Sequence, residues 1–304
     1  MLRLIVDPRG EAAWNMAVDE ALLDRAIEHG EATLRFYRWT EPTLSLGYFQ
    51  RYEDRAAHPA SAALPCVRRH SGGGAIVHDR ELTYSLALPA SRLPAGGPEA
   101  LYRSAHATLI AALEALAPGL AGRLRLWPSP LVAAETTQRA PGGTEPSPGG
   151  IDPPLSAESF LCFQRRSVGD LVVSGGGVVD GSPERGHKVA GSAQRKRRGA
   201  VLQHGSVLLA RSPQAPELPG VCDLMPGVAA EAAGGSEPLA DRLIASWAPK
   251  LGAALDHAIT ESKVAESKVA ESEAARAEAT DTLIDRAERI AAERFGSRAW
   301  TRRR

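Results

Sequence analysis

The chain has 304 residues, 43% hydrophobic and 24% charged, a balance that suits one large or two small folded domains with a buried core. Its 36 basic residues equal its 36 acidic ones, so no global charge draws it to nucleic acid or to an anionic membrane. No apolar run approaches the roughly 20 residues of a bilayer span, Leu4-Ile5-Val6 before Asp7-Pro8-Arg9 is no signal peptide, and Cys66, Cys162 and Cys222 are too few and too far apart for a disulfide or zinc framework, so a cytoplasmic protein with free thiols is expected.

A helix is predicted from about Ala12 to Glu28, where Trp14, Val18, Leu22 and Ala26 recur every four residues and Gly30 supplies the stop. Strands are expected at Leu34–Trp39 and Leu44–Phe49, parted by Glu41-Pro42. Then comes the most informative stretch of the chain, Arg68-Arg69-His70-Ser71-Gly72-Gly73-Gly74-Ala75-Ile76-Val77-His78-Asp79. Glycine backbone can take positive φ and lie against a ligand with its N–H groups presented, and arginine adds a rigid fork of donors. Three glycines alone would also serve as a hairpin connection; the arginines and the strand behind them favour a loop that holds something. Leu82–Leu88 alternates strictly and predicts a half-buried strand. Pro98 opens a second helix with the stripe Tyr102, Ala105, Leu109, Ala112, Leu113 and Leu116, closed by Pro118-Gly119. From Pro128 to Pro154 seven prolines and few large apolar residues read as a mobile surface insertion.

Order is expected again near Phe160, with a strand at Asp170–Ser174 and two more at Lys188–Ala193 and Ala200–Ala210, joined by a basic turn at Arg195–Gly199. The connection from Gly175 to Gly186 is longer than a hairpin needs. Residues 213–237 read as irregular; Leu239–Ile259 reads as a helix, followed by a charged tail helix ending near Trp300. Glu261–Ala265 is duplicated as Glu266–Ala270, a period of five that no helix repeats. Helices and strands mix without βαβ alternation, which predicts an α+β fold with a mixed sheet. We expect one domain over 1–304, with insertions at about 128–156 and 175–186 and a helical part at about 238–304.

Three further features carry chemistry. Lys188 opens a strand of small residues, His187-Lys188-Val189-Ala190-Gly191-Ser192-Ala193-Gln194, and is either a directed cation or an ordinary strand-end lysine in solvent. His204-Gly205 interrupts an apolar strand, as a bulge, a close backbone approach or a satisfied core histidine. Cys162, between Phe160 and Phe163, is either a small buried hydrophobe or a nucleophile, the second only if a cation such as Lys188 stands beside it. Cys66, His70 and His78 do not match a zinc spacing, and no metal is expected. The runs Arg195–Arg198 and Arg302–Arg304 are either solvated surface or a dock for acidic carrier proteins; without an aromatic platform they do not make a nucleic-acid site.

Together these motifs resemble the lipoate–protein ligase and octanoyltransferase superfamily. Arg68-Arg69-x-x-Gly-Gly-Gly with His78-Asp79 and Glu81–Ser85 matches the first half of its signature, and Lys188–Gln194 with Leu202–Ser206 the second. Asn15-Met16-Ala17 with Asp19-Glu20 resembles its first helix; Arg38-Trp39, Pro42, Gly47 and Gln50 resemble its early strands. The resemblance runs from about residue 12 to 210, with a looser fit of the C-terminal helices and Trp300. Glu81-Leu-Thr-Tyr-Ser85 and Cys162-Phe163 are similar to the cysteine-dependent octanoyltransferase branch.

The resemblance implies a mainly antiparallel sheet flanked by helices. It implies Cys162 as nucleophile and Lys188 as the residue orienting the acyl carbonyl. It further implies an acyl pocket built from Arg69, Gly72, Gly73, Gly74, Ala75, Ile76, Val77, His78, Gly191, Ser192, Ala193, His204 and Gly205. Octanoyl acyl carrier protein would be the donor, and a lysine of a lipoyl domain or glycine-cleavage H protein the acceptor. No cofactor is implied, and a monomer is expected. The alternatives are an ATP- and Mg-dependent lipoate–protein ligase, amidotransfer between lipoyl proteins, and a non-catalytic acyl-domain binder. Two departures from the pattern stand out: the long 128–154 and 175–186 segments, and Gln164-Arg165-Arg166 directly after the cysteine pair.

Overall fold

The computed structural model describes residues 1–127, 159–174, 178–179, 182–183, 186–224, 236–262 and 282–303. The predicted insertion at 128–156, most of the 175–186 connection and most of the duplicated Glu261–Ala270 segment lie outside them.

Eight strands form the main sheet: β1 (Leu2–Gly10), β2 (Thr33–Trp39), β6 (Glu81–Pro89), β7 (Leu124–Leu126), β8 (Leu171–Val173), β11 (His187–Arg197), β12 (Ala200–Leu208) and β13 (Ile259–Ser262). Their order is β13-β1-β2-β6-β12-β11-β8-β7. Only the β1–β2 and β1–β13 pairs are parallel, so the sheet is mixed and mainly antiparallel. A second sheet of order β4-β3-β5 joins β3 (Thr43–Leu46), β4 (Cys66–Arg68) and β5 (Ile76–His78). Within the 175–186 connection, β9 (Val178–Val179) and β10 (Ser182–Pro183) pair as a small hairpin.

Both faces of the main sheet are covered. On one face Leu34, Phe36, Leu82, Tyr84 and Leu86 pack against α3 (Gly97–Leu116) and α5 (Ser236–Ala254), with Trp247 between Phe36 and Tyr84. On the other, α1 (Ala12–His29) and α6 (Leu283–Ile290) pack over Ile5, Tyr37, Ala87 and Leu202. This corrects the half-buried reading of β6, whose nine residues are all buried. Its polar face looks onto α1, and its hydroxyls stay satisfied there: Ser85 donates to Asp19, and Thr83 donates to Glu81. The short elements α2 (Pro59–Ala62), α4 (Val221–Leu224) and α7 (Arg298–Thr301) close the edges.

Other boundaries shift for physical reasons. β11 runs on to Arg197, so the turn to β12 is only Arg198-Gly199, both at positive φ. The predicted basic turn is therefore mostly strand. Arg195 donates to His70 O, and Arg197 pairs with Glu20 and Asp24. The helix predicted to Ile259 ends at Ala254, and the β-branched Ile259-Thr260 start β13 on the sheet edge.

The C-terminal end of the described chain is tied to the small sheet. Arg68, fully buried, donates to Gly47 O and Gln50 O at one end of its guanidinium and to Thr301 O at the other. Trp300 Nε1 donates back to Arg68 O at 2.9 Å.

Candidate active site

The Gly-rich segment links β4 to β5 over the end of β3. Gly73 sits at φ +92°, a backbone state that glycine reaches without strain. Gly47 must also be glycine, because a Cβ there would lie 2.0 Å from Gly73 O. Arg69 is buried, and its fork is used inside the loop. Nη1 donates to Ser45 O and Oγ, and Nη2 to Gly74 O and Gly72 O. Arg69 thus holds the glycine carbonyls to β3, where the sequence suggested that its donors would grip a ligand. Among the described residues the N–H groups of Gly72, Gly73 and Gly74 have no partner.

Cys162 begins a single 3₁₀ turn, Cys162–Gln164, and is half-buried. It is held by the loop it faces: its N–H donates to Ala75 O at 2.7 Å, and Ala75 N–H donates to Phe160 O at 2.9 Å. A Cβ on Gly74 would come within 2.9 Å of Cys162 N, so the two segments touch backbone to backbone.

Lys188 arrives from β11. The register of β11 against β8 shifts between Lys188 and Ala190, a bulge of the kind that re-aims a side chain. Its Nζ lies 2.9 Å from Asp170 Oδ2, 3.4 Å from Cys162 O and 3.7 Å from Cys162 Sγ. Lys188 is only 6% exposed, so the strand-end lysine in solvent is excluded. Gly191 makes this possible: a Cβ there would lie 2.5 Å from Lys188 Cε and 2.8 Å from its Nζ.

Asp170, whose functional place the sequence reading missed, is the partner of that ammonium. It also accepts from Tyr102 Oη–H at 2.7 Å and from Ser167 N–H at 2.6 Å. Burial and the Asp170 carboxylate push the Tyr102 phenol far up, so it stays a donor. His106, one turn along α3, is fully buried, and burial pushes its imidazole down to about 4. It is neutral, with Nδ1–H donating to Gly169 O and Nε2 accepting from Ser192 Oγ–H. Ser192 in turn accepts from Tyr84 Oη–H, which accepts from Gln203 Nε2–H. Each donor is thereby fixed in direction. The one signal in the sequence was a histidine four residues after Tyr102 on an otherwise apolar stripe.

His204 is a satisfied histidine inside continuous β12, with no bulge. Ser71 bonds its Nε2, and its Nδ1 faces Asp19 Oδ2 at 3.4 Å. Burial acts to raise the Asp19 carboxyl, but the His204 and Ser85 hydrogen bonds and the Arg35 charge outweigh it and hold the group below its ordinary value. Gly205 provides the close approach: a Cβ there would meet Ser192 Oγ at 2.3 Å.

Cys162, Lys188 and Asp170 stand at one cavity of about 90 Å³. Of the pocket residues named from the sequence, Arg69, Gly72, Gly73, Ile76, His78, Gly191, Ser192, Ala193, His204 and Gly205 line it. Gly74 and Ala75 instead back the Cys162 loop, and Val77 packs with Leu44 and Leu46 in a third core. Met16, Tyr37, Thr83, Ser167 and Ser206 complete the lining and were not anticipated.

Histidines whose charged form the fold disfavours give it an acid limit. Burial and the nearby Arg294 and Arg195 charges push His70 down to about 3, and His106 lies at about 4. The unfolded chain, with histidines near 6.5, binds more protons than the fold below that pH. Stability is therefore fully present above pH 6.5 and is lost as pH falls from there toward 4. Denaturant midpoints between pH 7 and 4 should fall, and His106→Asn should flatten the slope; an unchanged slope would show that His106 is charged in the fold.

With this geometry in hand, the matches to known proteins are specific. Residues 11–215 match the lipoyl protein ligase A/B catalytic domain. Octanoyltransferase LipM of Kyrpidia tusciae is 35% identical over 226 residues, 70% of this chain and 68% of that one. Octanoyltransferase LipM of Anoxybacillus flavithermus is 36% identical over 203 residues, 65% and 61% of the two chains. The matched stretch thus spans between three-fifths and about two-thirds of these relatives. In fold, the chain is similar to a T. acidophilum structure described as a lipoate protein ligase with bound lipoic acid, at TM-score 0.62 and 17% identity, covering 99% and 98% of the two chains. It is likewise similar to lipoate-protein ligase A bound with ATP, at TM-score 0.60 and 18% identity, covering 99% and 97%. A match over residues 11–215, with the mixed sheet of those structures around the Gly-rich loop, makes this chain a member of the lipoyl protein ligase A/B catalytic-domain family.

Proposed function

We propose that this chain is an acyltransferase that moves an octanoyl group through a thioester on Cys162, from acyl carrier protein to a lysine amine of a lipoyl domain or glycine-cleavage H protein. The octanoyltransferase relatives support the octanoyl group and the transfer; they do not favour the ATP-dependent ligase alternative. The observation that carries the covalent route is the Lys188 ammonium 3.7 Å from the Cys162 sulfur at the cavity. A cation beside a half-buried thiol is the setting in which a thiolate acts as nucleophile.

In the first step the Cys162 thiolate, its proton given to solvent, attacks the donor's thioester carbonyl. The new C–S bond forms, the bond to the carrier sulfur breaks, and the carrier thiolate takes up a proton. In the second, the acceptor amine attacks the acyl-cysteine carbonyl, an amide forms, the Cys162 thiolate leaves and the amine proton goes to solvent. Exchanging thioester for thioester is near neutral and thioester for amide runs downhill, so neither ATP nor Mg is used. The oxyanion of each tetrahedral intermediate would be met by the unpartnered N–H groups of Gly72 and Gly73, which line the cavity, and by Lys188; one such donor is worth about 10²–10³ in kcat. Asp170 and Tyr102 position Lys188. The reading includes a monomer working in the cytoplasm, and no helix among the described residues is long and apolar enough to cross a membrane.

Intact-mass measurement after incubation with octanoyl acyl carrier protein, without ATP, tests the route. One octanoyl adduct, removed by adding a lipoyl domain, is the expected result. No adduct, with transfer only when ATP is supplied, would overturn it in favour of the ligase.

A further inference from the structure

The cavity reaches across four strands of the sheet. Gly191 on β11 is opposite Ser206 on β12, Ser206 is opposite Thr83 on β6, and Thr83 is opposite Tyr37 on β2. These four residues, all lining the cavity, make one cross-strand row. The reacting groups stand at its β11 end, where a Cβ on Gly191 would touch Lys188. Three inter-strand steps of about 4.8 Å separate β11 from β2. The row is glycine, serine and threonine until it meets Tyr37, its first large side chain.

The floor is polar by composition but offers a chain no free donor. Thr83 and Ser206 both give their hydroxyl protons to Glu81 Oε1, at 2.6 and 3.1 Å, and Trp39 Nε1–H donates to Thr83. An acyl chain above it would meet methyl, methylene and backbone carbon.

Two lining residues of one apolar cluster, Tyr37 and Met16, differ in stiffness. Tyr37 is fixed: its hydroxyl donates to Asp19 at 2.9 Å, and the Arg35 guanidinium lies 3.9 Å from its ring centroid. Met16 comes down from α1, is 3% exposed, and has the unbranched, polarizable side chain that fills irregular space and adapts. At about 90 Å³ the cavity is smaller than the ~150 Å³ in which an engineered protein cavity binds benzene, so an eight-carbon chain needs something to move. Of the two, Met16 is the side chain able to adapt.

We propose that Met16 is the specificity-determining residue that sets the length of acyl chain this protein accepts, by closing the β2 end of the cavity against the fixed Tyr37. The proposal rests on the acyl-transfer reading. Shortening the side chain opens the end to longer chains; widening it shuts out the eight-carbon chain. A methylene in a fitted apolar pocket is worth about 10-fold or more in selection.

The test offers wild type, Met16→Ala, Met16→Leu and Met16→Phe an equimolar mixture of hexanoyl, octanoyl, decanoyl and dodecanoyl carrier thioesters, and reads the acyl-enzyme ratio by intact mass. Met16→Ala should raise the dodecanoyl-to-octanoyl ratio at least tenfold, and Met16→Phe should raise hexanoyl over octanoyl by a similar factor. Met16→Leu, close in volume, should leave the wild-type preference within about threefold and guards against a misfolded alanine variant. The same variants, made in a Cys162→Ala background, are titrated with free fatty acids of the same lengths by calorimetry. That arm reads the pocket even if no acyl-enzyme forms, a failure that would count against the covalent route alone. Ratios that stay the same across the variants in the calorimetric arm overturn the proposal.

Discussion

Cys162→Ser should lose octanoyl transfer by about 10³-fold or more while keeping the fold. A serine hydroxyl becomes a nucleophile only with a general base in reach, and the imidazoles at this cavity are committed elsewhere: His204 to Ser71 and Asp19, His78 to Glu81 and Ser45. Lys188 has the complementary test. Lys188→Met alone would leave the buried Asp170 carboxylate without its cation, and an uncompensated buried charge costs about 3–5 kcal/mol. The paired variant Lys188→Met with Asp170→Asn removes both charges and should fold. Its transfer rate should fall by about 10²–10³, the loss of one oxyanion donor. Steady-state transfer to a lipoyl domain, with circular dichroism on each variant, checks both. Undiminished transfer by Cys162→Ser would end the covalent route.

A single methyl group at Gly191 should be almost as damaging. The Cβ of Gly191→Ala would lie 2.5 Å from Lys188 Cε, 2.8 Å from its Nζ and 3.1 Å from Asp170 Oδ1. The strand is hydrogen-bonded on both sides, to β12 and to β8, so the lysine must yield and not the backbone. The ammonium then leaves both the sulfur and the carboxylate. We expect kcat to fall by about 10²-fold or more and the yield of acyl-enzyme to fall with it. Thermal melting should fall as well, because the buried Asp170 carboxylate loses its cation as in Lys188→Met. Gly97→Ala, where a Cβ meets nothing within 4 Å, is a control for the loss of glycine itself, although its positive φ will carry some strain. Wild-type kcat in Gly191→Ala would mean that Lys188 does not act from its observed position.

The two halves of the site were legible in the sequence for different reasons. Three successive glycines and a lysine ahead of small residues are unusual compositions, and unusual composition survives the loss of three-dimensional information. Asp170, Tyr102 and His106 were not legible as a set. They come from the start of β8 and one face of α3, more than 60 residues apart, and each alone has an ordinary place in its element. Arg69 was placed at the pocket, which it lines, but its bonds to the loop were not foreseen, because a sequence shows that donors exist and not which carbonyls take them. The extension of β11 through Arg197 was hidden by its charges; those arginines find Glu20, Asp24 and a loop carbonyl instead of water. The strands β1, β7 and β13 escaped notice. β7 and β13 are short edge strands, and β1 breaks its own alternation at Asp7-Pro8-Arg9, where the pairing with β2 also shifts. The α+β architecture itself was clear, since it follows from periodicity in the longest elements.

The clasp formed by Arg68 imposes an order on biosynthesis. Chains leave the ribosome from the N-terminus at about 5–20 residues per second, so the Gly-rich segment emerges well over 200 residues before Thr301 offers its carbonyl to the same guanidinium. Through that interval Arg68 lacks one of its acceptors and Trp300 is not yet there to cap it. The nascent protein should bind acyl chains poorly until α7 has been made, and a chain stalled or released before Thr301 should be inactive even with every catalytic group already translated.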